Sequence, residues 1–328
     1  MDTIDSARRR LVLGAGLLTA TAAAHAQQPG WPARPVRILV GFAPGGGVDA
    51  MARLLAARLS EQLGQQFVVD NRAGASGLIA ADATARAAPD GHTLLLADTS
   101  LLIARSFGNT QAPDPVTAFT PVALAFRAPL MVVANNAFPA SDPASLVRIL
   151  KAEPGRHSYA TSGVGTVHHL GFELLKQRTA TFVVHIPYRG ASQILPDVAG
   201  GQLPLGVVSA TAGMAQAKAG RVKALGMLSR DRLPGIEGVA PLADAVPDLD
   251  VAPSLFVLGP AGIAPDLANR IGEAVRQALS APAAMQTAAA QGAVLTYGNA
   301  GQLQQAMARE TAQFARVIRE QKLTAQGG

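Results

Sequence analysis

The sequence VRILVGFAPGGGVDAMARLL, residues 36–55, decides the fold of this protein. Val36–Val40 has the nearly continuous apolar character of a buried strand. A glycine-rich turn, Ala43–Gly47 (the first turn), follows, and apolar residues then recur at the spacing of one buried helix face. These residues are Met51, Leu54, Leu55, Leu59 and Leu63. Because glycines at a strand-to-helix turn expose N–H groups at the positive end of the helix dipole, we expect an anion there.

A second stretch of similar build, Tyr159–Leu170, ends a short strand and begins a helix. Its turn, Thr161–Thr166 (the second turn), contains Gly163 and Gly165. Hydroxyl groups that can cap the helix or bind ligand come from Thr161, Ser162 and Thr166. An ordinary capped turn explains this pattern when it is taken alone, but two such turns in one chain favour binding. We therefore predict that the fold brings the two turns face to face.

A third turn, Asn71–Gly77, follows another short apolar run. It either lines the same cleft or only reverses the chain, and the sequence does not favour one over the other. Ser76 within it lacks the final glycine of a Gly-x-Ser-x-Gly nucleophile elbow.

The first 26 residues have the pattern of a signal peptide. Arg8–Arg10 is a basic segment, Leu11–Ala24 is apolar, and Ala24–Ala26 offers small residues for cleavage after Ala26. Arg8 and Arg9 also fit a loose twin-arginine signal. We expect export to the periplasm, and the absence of cysteine excludes both a lipid anchor and disulfides.

The composition argues against a nucleic-acid partner. The chain carries 28 basic and 22 acidic residues, a net charge of +6, but charged residues make up only 15% and are scattered. A modest positive charge suits a protein that attracts small anions, or it only keeps the protein in solution.

The chain length and the alternation of strand-like and helical runs predict an α/β protein with two lobes. We expect parallel sheets covered by helices, with ligand beyond the carboxyl ends of the strands. Leu124–Ala134 is interpreted as one extended run that crosses between lobes, and 252–260 as the return. The predicted lobes are residues 27–127 plus 252–328 and residues 128–251, with the last helices, Asp266–Leu279 and Gln302–Gln321, completing the outer layer of the first.

Known phosphate and metal motifs are absent from the sequence. The first turn lacks the Gly-Lys-Ser/Thr of a P-loop, and the second lacks the third glycine of the dinucleotide fingerprint. His168 and His169 are adjacent, so on a helix they point about 100° apart and cannot share a metal. We therefore expect no cofactor and no metal site.

No catalytic set is evident either. Asp49 in the first helical turn is typical of dipole pairing and capping. His169 either donates to a ligand or supports the cap, and His185 on an apolar strand is interpreted as a core or edge residue. We predict that the protein is not an enzyme.

Six motifs, in order from Trp31 onward, resemble the Bug family, the TctC-like extracytoplasmic solute receptors of tripartite tricarboxylate transporters. They are Trp31–Arg37, Phe42–Asp49, Asp70–Gly77, Pro89–Leu95, Tyr159–Leu170 and Ile186–Gly190. The resemblance implies a type II periplasmic binding protein fold, which closes on its ligand like a Venus flytrap. It also implies a monomer that binds a small organic acid, a mono- or dicarboxylate, and delivers it to the membrane permease subunits.

The resemblance further implies a carboxylate clamp between the loops Phe42–Asp49 and Thr161–Thr166. The expected ligand-binding residues are Phe42, Ala43, Pro44, Gly45, Gly46, Gly47, Asp49, Ser100, Thr161, Ser162, Gly163, Gly165, Thr166, His169, Tyr188 and Ser209. Many relatives carry an acidic residue followed by asparagine where Val208 and Ser209 stand here. If that acid holds a ligand ammonium group, its absence argues against amino acids and favours a plain carboxylate or an aromatic acid.

Two alternatives stay open from the sequence. The same trap could sense a ligand for a membrane sensor kinase, and a neighbouring kinase gene instead of permease genes would favour that role. The second alternative is an exported α/β hydrolase. Cleavage of esters by the wild-type protein, and its loss in Ser76→Ala, would indicate that activity.

Overall fold

The computed structural model describes residues 30–230, 232, 236, 238–320 and 322–323, so the predicted signal peptide lies outside the described residues. Two α/β lobes are present, each built on one sheet. The strands are β1 Val36–Val40, β2 Phe67–Asn71, β3 Thr93–Asp98, β4 Phe119–Arg127, β5 Leu130–Ala134, β6 Ser158–Thr161, β7 Val184–Pro187, β8 Leu205–Ser209, β9 Lys223–Met227, β10 Ser254–Pro260 and β11 Val294–Gly298.

Helices cover the faces of both sheets. They are α1 Gly47–Leu63, α2 Leu78–Ala85, α3 Ser100–Ile103, α4 Pro143–Ala152, α5 Val167–Thr179, α6 Ala191–Ala199, α7 Ala210–Lys218, α8 Pro265–Ser280, α9 Pro282–Ala290 and α10 Ala300–Glu320. Two short 3₁₀ turns span Ala75–Gly77 and Leu242–Asp244.

The two sheets are mixed, whereas parallel sheets were predicted. The first has the order β11-β4-β10-β3-β1-β2, in which only the β1–β2 and β1–β3 pairs are parallel. Strand β10 returns from the second lobe and inserts antiparallel between β3 and β4. The second sheet, β7-β6-β8-β5-β9, contains an antiparallel β5 between β8 and β9 for the same reason, since β5 enters from the first lobe.

The chain passes from one lobe to the other between β4 and β5. The run expected as one extended segment is therefore two strands in different sheets, separated by Ala128 and Pro129. The return occurs just before β10, which begins at Ser254. Both passages lie within a few residues of the predicted boundaries at 127/128 and 251/252, which stay predictions.

Helix α10 contacts both lobes. Leu303 and Met307 pack into the core of the first lobe, but Phe314 and Ile318 pack into the core of the second. The expectation that this helix lies in the outer layer of the first lobe therefore describes only its first half. Its apolar stripe runs along the whole helix, which allows it to bury residues in two cores. Of the helices that the structure describes, none combines the length and apolarity needed to cross a membrane.

Candidate functional site

The first turn is held by Asp49, the third residue of α1. Its carboxylate accepts hydrogen bonds from the Gly45 N–H (2.9 Å), Arg53 Nε (2.9 Å) and Asn71 Nδ2 (2.9 Å). Burial alone would raise the pKa of Asp49, but the bonds from Arg53, Gly45 and Asn71 together lower it. Asp49 is therefore ionised, and its carboxylate holds the first turn in place through the bond to Gly45. Its side chain is buried, with 3% of its surface exposed.

The backbone N–H groups of Gly46, Gly47 and Val48, next to Asp49, have no acceptor among the described residues. Helix α1 begins after Gly46, which has φ −84° and ψ 173° and makes no side-chain cap. Among the described residues, none accepts a hydrogen bond from the N–H of Gly46, Gly47 or Val48. Three such donors at the positive end of a 17-residue helix form a strong anion site.

The second turn differs, because side chains accept from the N–H groups of both of its glycines. The Gly163 N–H donates to Thr161 Oγ1 (3.3 Å) and the Gly165 N–H to His169 Nδ1 (3.3 Å). Thr166 Oγ1 accepts from the His169 N–H (3.3 Å) and caps α5. Gly163 and Gly165 have φ of +129° and +74°, conformations that favour glycine.

Two of the predicted ligand-binding residues, Thr161 and His169, contact His185 at the base of the second turn. Thr161 Oγ1 is 2.7 Å from His185 Nε2, and the His185 ring stacks on His169 at 4.1 Å between centroids. Burial lowers the pKa of His169 to about 4 and that of His185 to about 3, so both rings are neutral at neutral pH. His185 is a hydrogen-bonded residue of a strand, as the sequence indicated.

The lobes touch in the described arrangement. The Ala43 N–H donates to the Arg189 carbonyl (3.4 Å), and Ser76 Oγ donates to the Val164 carbonyl (2.6 Å). The Val167 N–H at the start of α5 donates to Ser100 Oγ (3.1 Å) in the first lobe. The structure is therefore a closed form, in which the first turn lies against the second lobe.

An inner pocket remains between the lobes at the first turn. Its volume is about 20 Å³, room for a single water molecule. The polar and backbone groups that line it come from Gly46, Gly47, Val48, Asp98, Ser162, His168, Gly190 and Ser209. Phe42, Ala128, Leu130, Ala191, Pro253 and Leu255 form its apolar wall. A solute can enter only when the lobes move apart.

An outer cleft of about 800 Å³ opens beside the inner pocket. The third turn lines it through Ala73–Gly77, so this segment does more than reverse the chain. The opposite wall is formed by Ser162–Gly165 and by Tyr188 and Arg189. Ser162 lines both spaces, which places the second turn at the junction between them.

The predicted ligand-binding residues thus fall into four groups. Five line the inner pocket or both spaces: Phe42, Gly46, Gly47, Ser162 and Ser209. Gly163, Gly165 and Tyr188 line the outer cleft, while Ala43, Pro44 and Gly45 lie at the rim of the first turn. Asp49, Ser100, Thr161, Thr166 and His169 support the two turns by the bonds described above. Ligand contact by each of them stays a prediction.

Among the inner-pocket residues that sequence reasoning missed, Asp98 and His168 carry polar side chains. The Asp98 carboxylate accepts from the Ser100 N–H (3.0 Å) and from Ser100 Oγ (3.2 Å), and burial raises its pKa to about 6. His168 is buried, and its Nδ1 has no hydrogen-bond partner. A polar Asp-Thr-Ser sequence directly after the apolar run of β3 was the available signal for Asp98.

Within the ranges that the structure describes, no group of three histidine, aspartate or glutamate side chains is arranged to hold a metal ion. The inner pocket offers hydrogen-bonding backbone, hydroxyl and imidazole groups together with the buried Asp98 carboxylate.

Comparison with known proteins identifies relatives over almost the whole chain. The sequence model of the family described as tripartite tricarboxylate transporter family receptor matches residues 51–323. The chain is 35% identical to the UPF0065 protein in the tcbD-tcbE intergenic region of Pseudomonas sp. strain P51, over 99% of this chain and 97% of that protein. It is 33% identical to the protein BugT of Bordetella pertussis, over 97% of this chain and 98% of BugT.

Solved structures agree with the fold described above. One described as a periplasmic transporter has a TM-score of 0.87 and 33% identity, covering 90% of this chain and all of that one. R. palustris Rpa4515 with adipate has a TM-score of 0.86 and 30% identity, covering 90% and 99%. MatC from Rhodopseudomonas palustris with bound malate has a TM-score of 0.83 and 27% identity, covering 88% and 100%.

These matches confirm both the two-lobed α/β fold and the resemblance inferred from the motifs. The chain belongs to the tripartite tricarboxylate transporter receptor family, whose members are solute-binding receptors and not enzymes.

Proposed function

We propose that this protein binds a small organic carboxylate in the inner pocket and delivers it to the permease subunits of a tripartite transporter. The observation that carries the proposal is the set of three N–H groups on Gly46, Gly47 and Val48, which have no acceptor among the described residues and belong to residues that line the inner pocket. The bound carboxylate would accept hydrogen bonds from this turn, with the hydroxyl groups of Ser162 and Ser209 on the opposite side.

The energetics favour such a site. A hydrogen bond to a charged group contributes about 1.5–3 kcal/mol, and lobe closure removes water and strengthens each bond. Four or five such bonds outweigh the cost of association and leave a dissociation constant near the micromolar range. That affinity suits a receptor that must release its solute. The adipate and malate in the solved relatives support a carboxylate ligand.

The pocket also favours acids that lack an ammonium group. Ser209 presents a hydroxyl group that already caps α7 by accepting from the Ala212 N–H (3.3 Å). Asp98 is the one carboxylate among the residues lining the inner pocket, and Ser100 binds both of its oxygens. Each of those oxygens keeps a free lone pair, so the case against amino acids rests on the missing acidic residue at Val208 and Ser209, and we propose a plain mono- or dicarboxylate or an aromatic acid.

A thermal-shift screen of the protein with succinate, adipate, malate, nicotinate and aspartate tests the proposal. A bound acid at a hundred times its dissociation constant stabilises the fold by about 2.7 kcal/mol, which is easily measured as a rise in melting temperature. Calorimetry would then give the affinity. Failure of every acid in the screen would refute the carboxylate site, and tight binding of aspartate alone would refute the ligand class.

Export and delivery need separate tests. We propose that residues 1–26 are removed in the periplasm, so mass spectrometry of the exported protein should find Gln27 at its N-terminus. Cells that lack the protein should lose uptake of the acid identified in the screen and regain it with the wild-type chain. Unchanged uptake would argue against delivery to a permease.

A further inference from the structure

The inner pocket contains a histidine that the proposed function does not use. His168, the second residue of α5, is 6% exposed, and its Nδ1 is buried with no hydrogen-bond partner among the described residues. An unpaired buried nitrogen is unfavourable, because water would satisfy it in the unfolded chain. A solute atom that supplies the missing hydrogen bond removes this penalty when it binds.

The surroundings of His168 keep the ring neutral and fixed. Phe42 of the opposite lobe lies near it, with 6.5 Å between ring centroids and 56° between planes. Burial lowers the pKa of His168 to about 4, and no charged residue contributes to that shift. A neutral imidazole nitrogen pairs with a hydroxyl group in either tautomer, and with a carboxylate oxygen when it carries the proton.

The position of His168 relative to the first turn suggests which part of a solute it meets. His168 and the N–H groups of Gly46 and Gly47 line the same pocket from opposite lobes. In the closed form this pocket holds about 20 Å³, so the two sets of groups lie within the length of a short acid. A solute whose carboxylate binds the first turn thus directs its far end toward the second lobe.

We propose that His168 is a specificity-determining residue that selects acids with a second oxygen function, a hydroxyl or carboxyl group, over acids with an apolar end. The inference rests on the proposed function, since it requires a carboxylate at the first turn. An apolar end would leave Nδ1 unpaired in the closed complex, whereas an oxygen function pairs with it.

Two matched sets of acids test this inference by calorimetry. Butyrate, 4-hydroxybutyrate and succinate share four carbons and differ only at one end, as do hexanoate, 6-hydroxyhexanoate and adipate for six carbons. In at least one set the wild-type protein should bind an oxygen-ended acid at least 10-fold more tightly than the methyl-ended acid. Within each set, the affinities of the hydroxyl-ended and carboxyl-ended acids show which oxygen function His168 prefers.

The His168→Leu variant should lose that preference, through weaker binding of the oxygen-ended acid and equal or tighter binding of the methyl-ended one. His168→Asn places an amide near the Nδ1 position and should keep part of the preference. If the leucine variant does not fold, the asparagine variant still tests the role of His168. His92→Ala is the matched control, because His92 is a buried histidine outside the pocket whose ring nitrogens make no hydrogen bond among the described residues, although Nδ1 lies 3.5 Å from Asp90 Oδ1. It should lower the melting temperature and leave the preference unchanged.

Three outcomes would overturn the inference. A wild-type protein with no preference for oxygen-ended acids, or a preference retained in His168→Leu, would refute the role of His168 alone. Failure of the wild-type protein to bind any of the six acids would refute the proposed function itself, and the inference with it.

Discussion

The two glycine-rich turns have similar sequences but differ in how their glycine N–H groups are hydrogen-bonded. At the first turn the Asp49 carboxylate accepts from the Gly45 N–H, and none of the described residues accepts from the N–H of Gly46, Gly47 or Val48. In the second turn Thr161 and His169 accept from the two glycine N–H groups. The two turns of the predicted clamp therefore differ in the backbone donors that they leave without an acceptor.

The difference shows that glycine content alone does not identify an anion site. A turn rich in threonine, serine and histidine carries acceptors that compete for its own donors. A turn flanked by alanine, proline and valine carries few. We propose that in this protein the apolar turn is the binding element and the hydroxyl-rich turn is the surface that closes on it.

The largest expected effect comes from filling the first turn. A Cβ atom at Gly47 would lie 2.3 Å from Ser209 Oγ and 2.5 Å from Ser209 Cβ, across the lobe interface. Gly47→Val should prevent closure and weaken binding of the best acid from the screen about 100-fold or more, since overpacking costs about 1–3 kcal/mol or more. Calorimetry measures the loss, and a melting curve checks the fold.

Gly46→Ala is the control for that variant. Its Cβ would meet only the Ala43 carbonyl oxygen at 3.6 Å, and its φ of −84° suits any residue. We expect a loss of less than about 5-fold, because the N–H donors stay in place. Equal losses in the two variants would show that the contact with Ser209 does not control closure.

Acid should destabilise the helix that follows the second turn. The pKa of His168 and His169 in the fold is about 4, against about 6.5 in the unfolded chain, so the unfolded state takes up protons first as the pH falls. Linkage predicts a loss of about 2 kcal/mol per histidine between pH 7 and pH 5. Asp98, with its pKa raised to about 6, works in the opposite direction and offsets part of the loss.

Urea unfolding at pH 7 and pH 5 measures this difference. His168→Leu should remove about one proton from the uptake on unfolding and reduce the loss accordingly. A wild-type stability that rises on acidification would contradict the neutral state of both rings.

The contact between Ser100 and the second turn should have an intermediate effect. Ser100→Ala removes the acceptor of the Val167 N–H and a donor to the buried Asp98 carboxylate. We expect a loss of about 1–3 kcal/mol in the free energy of unfolding. Ser280→Ala is the control, because its exposed hydroxyl bonds only to the Arg276 carbonyl of its own helix. If both variants are equally stable, the contact between lobes contributes nothing.

The smallest effect on stability is expected from Thr166, the N-cap of α5. Thr166→Ala should lower stability by about 1 kcal/mol, because Thr166 Oγ1 caps α5 and donates to the Gly163 carbonyl (2.8 Å). Thr166→Ser should restore it. Melting without ligand separates this role from direct binding, and a large loss of affinity at unchanged melting temperature would instead place Thr166 in the ligand site.

The sequence was most informative where the structure is locally determined. Strand β1 has the predicted bounds, since Val36–Val40 is a nearly continuous apolar run between a proline and a glycine. Strand β11 was missed because four of its five residues are only partly buried at the sheet edge and lack alternation. The mixed sheets were missed because the partner of β10 is set by the path of the chain between lobes.

The candidate site shows the same limit. Glycine turns at strand ends could be predicted from local pattern, but the choice between His168 and His169 depends on the rotation of α5 against both lobes. That rotation directs His168 to the inner pocket and His169 beneath the second turn. One residue along the helix thus separates a pocket residue from a supporting one.

The strand order of the first sheet also has a consequence for how the chain folds as it is made. Strands β3 and β4 are not neighbours, and the gap between them is filled by β10, which begins only at Ser254. The five strands of the second sheet, in contrast, are consecutive between Leu130 and Met227. The second lobe can therefore complete its sheet first. The edges of β3 and β4 that pair with β10 stay without a partner strand until the last quarter of the chain has been made.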